Sequence, residues 1–162
     1  MKTVSVAAIA AVAWLAAPAV AQAPTTPAGY VAAAGASDLY ERQSSQLVLQ
    51  STANPKVRSF AQMMVADHAK STAQVKAAAA RAGVKAAPPK LMPEQAKMIA
   101  DLRAQTGTAR DTAYVTQQKT AHQKALALHR GYADNGTAAP LKTVAAGIAP
   151  VVEHHIEMLN AM

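Results

Sequence analysis

The sequence predicts an all-α fold, a bundle of four long helices joined as two hairpins with a short extra helix between them. Three observations predict it. Alanine dominates, and no β-branched run interrupts it. Proline and glycine fall mostly in the gaps between periodic segments. Each long segment also carries an apolar stripe at 3–4 spacing, while no alternating pattern suggests a strand.

Residues 1–21 read as an export signal. Lys2 is the charged start, Val4 to Val20 is apolar apart from Ser5, and Ala19-Val20-Ala21 is a small-x-small processing site. The run is short for a membrane span. Its removal leaves about 141 residues, enough for one domain with its own core. Residues 22–28, QAPTTPA, form a Pro/Thr-rich leader expected to be disordered. Residues 29–162 form the helical domain, expected in the periplasm.

The first helix is predicted from Tyr30 to Thr52. Asn54-Pro55 supplies an N-cap and a first-turn proline for the second helix, which runs to Arg81 and stops at Gly83. VKAAPPKLM is a loop. Pro93 opens a short helix to about Gln105, ended by Gly107. Thr108 caps a long helix to Ala133, ended by Asn135-Gly136. Pro140 opens the last helix, in which Pro150 should introduce a kink.

Composition excludes several functions. Without cysteine there is no disulfide, thiol chemistry or thiolate metal site. The net charge is +7, but the basic residues are scattered, as on solvated helix faces. They leave room only for weak contact with anionic envelope polymers. One phenylalanine and no recognition motif argue against nucleic acid. No Gly-rich phosphate loop is present, and no His and acid stand near Ser37, Ser44 or Ser45 to make a nucleophile. No second apolar span exists, so the processed chain should not cross a membrane. The oligomeric state is not legible.

The stripes carry the chemistry. On the last helix Leu141, Ala145, Ile148, Val152, His155 and Leu159 share one face, and His154 falls outside it. His68 continues Val57, Ala61 and Met64 on the second helix. His122 lies mid-stripe on the fourth, and Glu41 lies in an interior register on the first, where a lone carboxylate is costly. Depth links them. Glu41 and His68 are equidistant from the first turn, as His122 and His155 are from the second, each about 20–25 Å away at 1.5 Å per residue. Glu41, His68, His122 and His155 therefore converge if the hairpins meet at one level. Three imidazoles and a carboxylate suit one divalent transition-metal ion, such as zinc, iron, manganese or copper. Asp38 and Asp67 are candidates to accept histidine N–H groups, or to add a ligand. The same four residues also suit a metal-free Glu–His network that fixes helix register. A di-iron site needs Glu-x-x-His on two helices, and this chain has none. The methionines read as core filling. His129, two turns from His122, is expected to be solvated.

NPKVRSFAQMMVADHAK, DTAYVTQQKTAH and PVVEHHIEML together resemble segments of a family of exported bacterial ferritin-like proteins of unknown function, often labelled outer-membrane proteins. The resemblance spans about residues 28–161. It implies a ferritin-like bundle in the periplasm, with Glu41, Asp67, His68, Asp111, Tyr114, His122 and His155 at matched polar positions. It selects His155 over His154, and it supplies no reaction. This sequence departs from the family pattern at His154 and at Asp38, where a small residue is usual. A helical chain without barrel strands or lipidation does not span an outer membrane.

Three functional readings follow. One is a periplasmic protein holding a single ion, for metal binding or envelope stress protection. Another is a metal-free structural or interaction module at the cell envelope. The third is a metal-dependent oxidase or hydrolase, which needs an open coordination position and a substrate pocket.

Overall fold

A computed structural model of the chain describes residues 24–162. The expected signal, residues 1–21, lies outside the described residues, as do Gln22 and Ala23. Five helices form: α1 (Pro27–Leu49), α2 (Pro55–Arg81), α3 (Pro93–Arg103), α4 (Gly107–Asn135) and α5 (Ala139–Asn160). No strand occurs among the described residues. None of these helices is long and apolar enough to cross a membrane.

Caps set the boundaries. Asn54 Oδ1 accepts from the Lys56 and Val57 amides at 2.9 and 3.4 Å, so α2 starts at Pro55 as its sequence predicts. Its end is a Schellman motif. Gly83, at φ +69°, donates to Ala80 O, and Val84 donates to Ala79 O. Elsewhere the ends move. The α1 helix begins before Tyr30 because the Thr26 hydroxyl accepts from Gly29 N and Pro27 pre-sets the first turn. Pro27 and Ala28, expected in the leader, are therefore helical. Thr106 rather than Thr108 flanks α4, because Gly107 takes φ +55° and lets the chain turn two residues earlier. Helix α3 stops at Arg103, short of Gln105. Pro150 stays inside α5.

The four long helices close a ring in which α1 adjoins α2, α2 adjoins α5, α5 adjoins α4 and α4 adjoins α1. Two bonds fix the directions. Gly107 N donates to Ser51 Oγ, placing the start of α4 beside the α1–α2 turn. Thr137 N donates to Thr25 O, placing the α4–α5 turn beside the start of α1. The two hairpin turns therefore sit at opposite ends, and every neighbour in the ring is antiparallel. The α2–α4 link must travel the length of the bundle. It does so as one long crossover in which α3 packs on α1 and α4.

The core divides into layers. One apolar cluster, including Val48, Val57, Phe60, Met64, Tyr114 and Leu159, fills the end with the α1–α2 turn. The other, including Tyr30, Ala34, Val75, Ala78, Tyr132, Leu141 and Ile148, fills the opposite end. Buried polar residues lie between them: Asp38, Glu41, His68, Gln118, His122 and His155.

Arg110, near the start of α4, ties the ends of α1 and α3 together. Its Nε donates to Leu102 O and Gln105 O at 2.9 and 2.7 Å, and its NH1 donates to Leu47 O at 2.8 Å. These carbonyls lie at or just past the last turns of α1 and α3, where the regular i→i−4 ladder ends. Arg110→Met should therefore lower stability by about 3 kcal/mol in urea denaturation, while far-UV helicity is kept.

Candidate metal centre

His68 on α2, His122 on α4 and His155 on α5 meet at mid-bundle. Their ring centroids lie 5.7 Å (His68–His122), 5.8 Å (His68–His155) and 5.4 Å (His122–His155) apart. Phe60 packs against the His122 and His155 rings and closes the layer on one side. All three histidines are at most 5 % exposed.

Each ring has one nitrogen held and one free. His68 Nδ1 donates to Asp38 Oδ1 at 2.9 Å, and the Thr72 hydroxyl donates to the other oxygen of Asp38. His122 Nδ1 lies 3.0 Å from Gln118 O; a carbonyl only accepts, so this nitrogen carries the proton. His155 Nε2 donates to Asp67 Oδ2 at 3.0 Å. The remaining nitrogens, His68 Nε2, His122 Nε2 and His155 Nδ1, are buried without partners. One ligand atom from each ring falls within 4.8 Å of the others. Some point is then no more than about 2.8 Å from all three, against ~2.0–2.1 Å for a zinc–imidazole bond. Small ring movements would close that gap.

Glu41 stands beside this cluster rather than in it. Its Oε1 lies 3.7 Å from His122 Nδ1, the nitrogen already committed to Gln118 O. Both of its oxygens are buried and unpartnered. The expectation of four converging donors is thus met by three, because the side chain of Glu41 reaches the back of the His122 ring. Asp38 and Asp67 each accept a histidine N–H. Asp111 lies near the start of α4, about three turns from His122, and accepts from Thr52 Oγ1 at 2.8 Å. The Tyr114 hydroxyl is 2.8 Å from Ser45 Oγ and its ring packs on Phe60. His154 is exposed on α5.

Electrostatics differ from ring to ring. Burial pushes His122 down to about 3, with the positive potential of His68 and His155 adding to it. Burial lowers His155 also, against the pull of Asp67. Burial disfavours the charged form of His68 too, but the bond to Asp38 and the nearby carboxylates of Glu41 and Asp67 outweigh it and raise its pKa. Glu41 is pushed up to about 7 by burial, with His68 opposing. Burial thus favours the neutral form of His122 and His155, while the neighbouring carboxylates favour the charged form of His68.

Several buried groups had no clear signal in the sequence. Gln118 donates to Ser44 Oγ at 3.0 Å, which makes the α1–α4 contact polar. Thr72 is found only by its i+4 relation to His68. His129 is buried, not solvated. Its Nδ1 lies 2.9 Å from the Tyr30 hydroxyl, and Tyr30 stacks on Tyr132 at 4.1 Å. Its i+7 spacing from His122 was the available clue.

A family profile described as a domain of unknown function, DUF4142, matches residues 13–162. No curated protein matches the sequence. Two crystal structures share the fold. A DUF305 fragment from Deinococcus radiodurans is 19 % identical, with a TM-score of 0.71 over 90 % of this chain and 97 % of that one. A DUF305 protein from Streptomyces coelicolor, described as secreted, is 15 % identical, with a TM-score of 0.70 over 82 % and 87 %.

Burial pushes the His129 pKa down from 6.5 to about 4. The unfolded chain therefore binds a proton in this window that the folded chain refuses. The contribution is full above pH ~6.5 and is lost as pH falls to ~4, at about 1.4 kcal/mol per unit. Urea midpoints should drop across this range, and the drop should be shallower in His129→Gln.

Proposed function

The chain belongs to the DUF4142 family, and we propose that it is an exported periplasmic protein whose bundle holds one divalent transition-metal ion through His68, His122 and His155. A single observation carries this. Three buried imidazoles each have one nitrogen held by an oxygen and the other left without a partner, and one nitrogen of each ring lies within 4.8 Å of the others. Buried lone pairs left this way are costly unless something shares them. An ion satisfies all three at once, and histidine ligands whose other N–H is held by a carboxylate or carbonyl are the usual arrangement. Zinc, iron, manganese and copper all suit the donor set.

Glu41 is the candidate fourth donor, with two unpartnered oxygens beside the cluster, and it needs a rotamer change to reach the ion. Asp38 and Asp67 orient the rings of His68 and His155. Asp111 and Tyr114 act as structural residues away from the ion. Export is supported by the apolar segment and small-x-small site within residues 1–21, and by the secreted description of one structural neighbour. A ferritin-like reading of the bundle is supported by its single long crossover. Exposed Lys56, Lys70, Lys76 and Arg81 on α2 leave room for weak contact with anionic envelope polymers. Two surface cavities, of about 800 and 390 Å³, have no histidine in their walls, which favours holding an ion over turning over a substrate. Sequestration of a reactive ion would serve metal binding or envelope stress protection.

A metal-free envelope module is the second reading. It is favoured by the Asp38–His68 pair, which is complete without an ion.

The purified processed protein should retain about one ion after mild dialysis. At a free ion concentration of 100 Kd, binding should add about 2.7 kcal/mol of stability. His68→Ala, His122→Ala and His155→Ala should each abolish this gain, while His154→Ala keeps it. The raised pKa of His68 makes protons compete with the ion for this ring, so affinity should fall as pH drops. No stoichiometric ion, together with an unchanged melting temperature on adding zinc, manganese, iron or copper, would sink the metal reading. The module reading instead expects His68→Ala to destabilise equally with and without metal.

A further inference from the structure

The candidate centre is sealed along the bundle axis. It lies about 20 Å from either end, at 1.5 Å per residue along α2, and an apolar cluster fills each end. An ion arriving axially would cross several buried side-chain layers, including Phe60 on one side and Val75 on the other. A lateral route through a seam between helices avoids both clusters.

The seams are not equivalent. The partner of His68 is Asp38, whose side chain is 3 % exposed between α1 and α2. The partner of His122 is a main-chain carbonyl of its own helix. The partner of His155 is Asp67, whose side chain is 37 % exposed. The hydrogen bond from His155 to Asp67 is the one of the three that reaches solvent, and it bridges α5 to α2. Beside it lie Met63 and Met158, unbranched and half-buried, both packed on the same apolar cluster. Unbranched side chains of this kind repack easily. Asp67 has no cationic partner among the described lysines and arginines, on a chain whose net charge is +7. A lone carboxylate on a basic surface is a local attractor for a cation.

We propose that the α2–α5 seam is the route by which a divalent cation reaches the three histidines, with Asp67 as the residue that receives it and passes it to His155. The inference rests on the metal reading above. Asp67 first attracts the hydrated ion. The ion then replaces the His155 N–H as the partner of the carboxylate, and the ring is free to turn its unpartnered Nδ1 toward the incoming charge. Once the ion is seated, the Asp67–His155 bond reforms and closes the seam. Asp67 is thus a positioning residue for loading in addition to holding the His155 ring, and the on-rate is the quantity that separates the two roles.

The test is stopped-flow binding of cobalt(II), followed by its visible absorption, to the full processed protein. Asp67→Asn should slow the second-order on-rate about tenfold and flatten its dependence on ionic strength, and Asp67→Lys should slow it further. Asp38→Asn removes a comparable partner from His68 but is buried elsewhere; its affinity loss should appear in the off-rate. Glu153→Gln removes an equal charge from the side of α5 that faces Arg130 on α4, and should leave the on-rate within twofold. Far-UV helicity and melting temperature check that each variant folds. Wild-type binding with Asp67 variants that load as fast as wild type, or faster, would overturn the route and leave the metal reading intact. Absence of cobalt(II) and zinc(II) binding to the wild-type protein would overturn both.

Discussion

A buried imidazole cannot leave its N–H group unpaired without losing about 1–3 kcal/mol, and this constraint organises the middle of the bundle. Three histidines meet there, and each N–H finds an oxygen on a fixed backbone position: Asp38 on α1, Gln118 O on α4, Asp67 on α2. These bonds choose the tautomer of each ring and therefore the direction of its free lone pair. They also fix helix register. Asp38 joins α1 to α2, with Thr72 taking its second oxygen, and Asp67 joins α2 to α5. A slip of one residue in any of these helices would break a buried polar bond.

The apolar layers on either side give the polar layer its character. They keep water from His68, His122 and His155, which holds two of the rings neutral and lifts Glu41 toward neutrality. The charged form is favoured only at His68, where the bond to Asp38 and the nearby carboxylate of Glu41 outweigh burial. Such a layer rejects bare positive charge except where carboxylates balance it, and three carboxylates, Asp38, Glu41 and Asp67, line this one. The antiparallel ring makes the layer possible. With its turns at opposite ends, both hairpins carry their histidines at mid-length, and the α3 crossover runs outside without entering the layer.

Much of the fold was legible from local chemistry. Asn54-Pro55 marked the start of α2 and Gly83 its end, because capping and left-handed φ are properties of a few adjacent residues. The boundaries of α1 and α4 moved where two neighbouring candidates competed: Pro27 against Tyr30, Thr106 against Thr108. The polar layer was legible through a coincidence of periodicity and depth, since His68, His122 and His155 each continue an apolar stripe at matched distance from a turn. Glu41 shared both properties, yet the structure sets it behind His122. Register says which face a residue occupies, and the rotamer decides which side of a neighbouring ring it meets. His129 is buried despite its place near a helix end, because the aromatic pair of Tyr30 and Tyr132 packs that end shut.

The sequence by itself determined an all-α chain, the number and order of its helices, and the faces on which its histidines lie. Those depend on propensity, capping and period, all of which act within one or two turns. The tertiary structure alone decided that the hairpins meet at one level, which nitrogen of each imidazole is held, and that Asp67 rather than Asp38 faces water. Apart from the local bond of His122 to Gln118 O, these depend on contacts between residues 30 to 88 positions apart, from Asp38–His68 to Asp67–His155. No local preference encodes the relative placement of helices packed side by side. It is set by the joint requirement to fill the apolar layers and to leave no buried N–H without an acceptor.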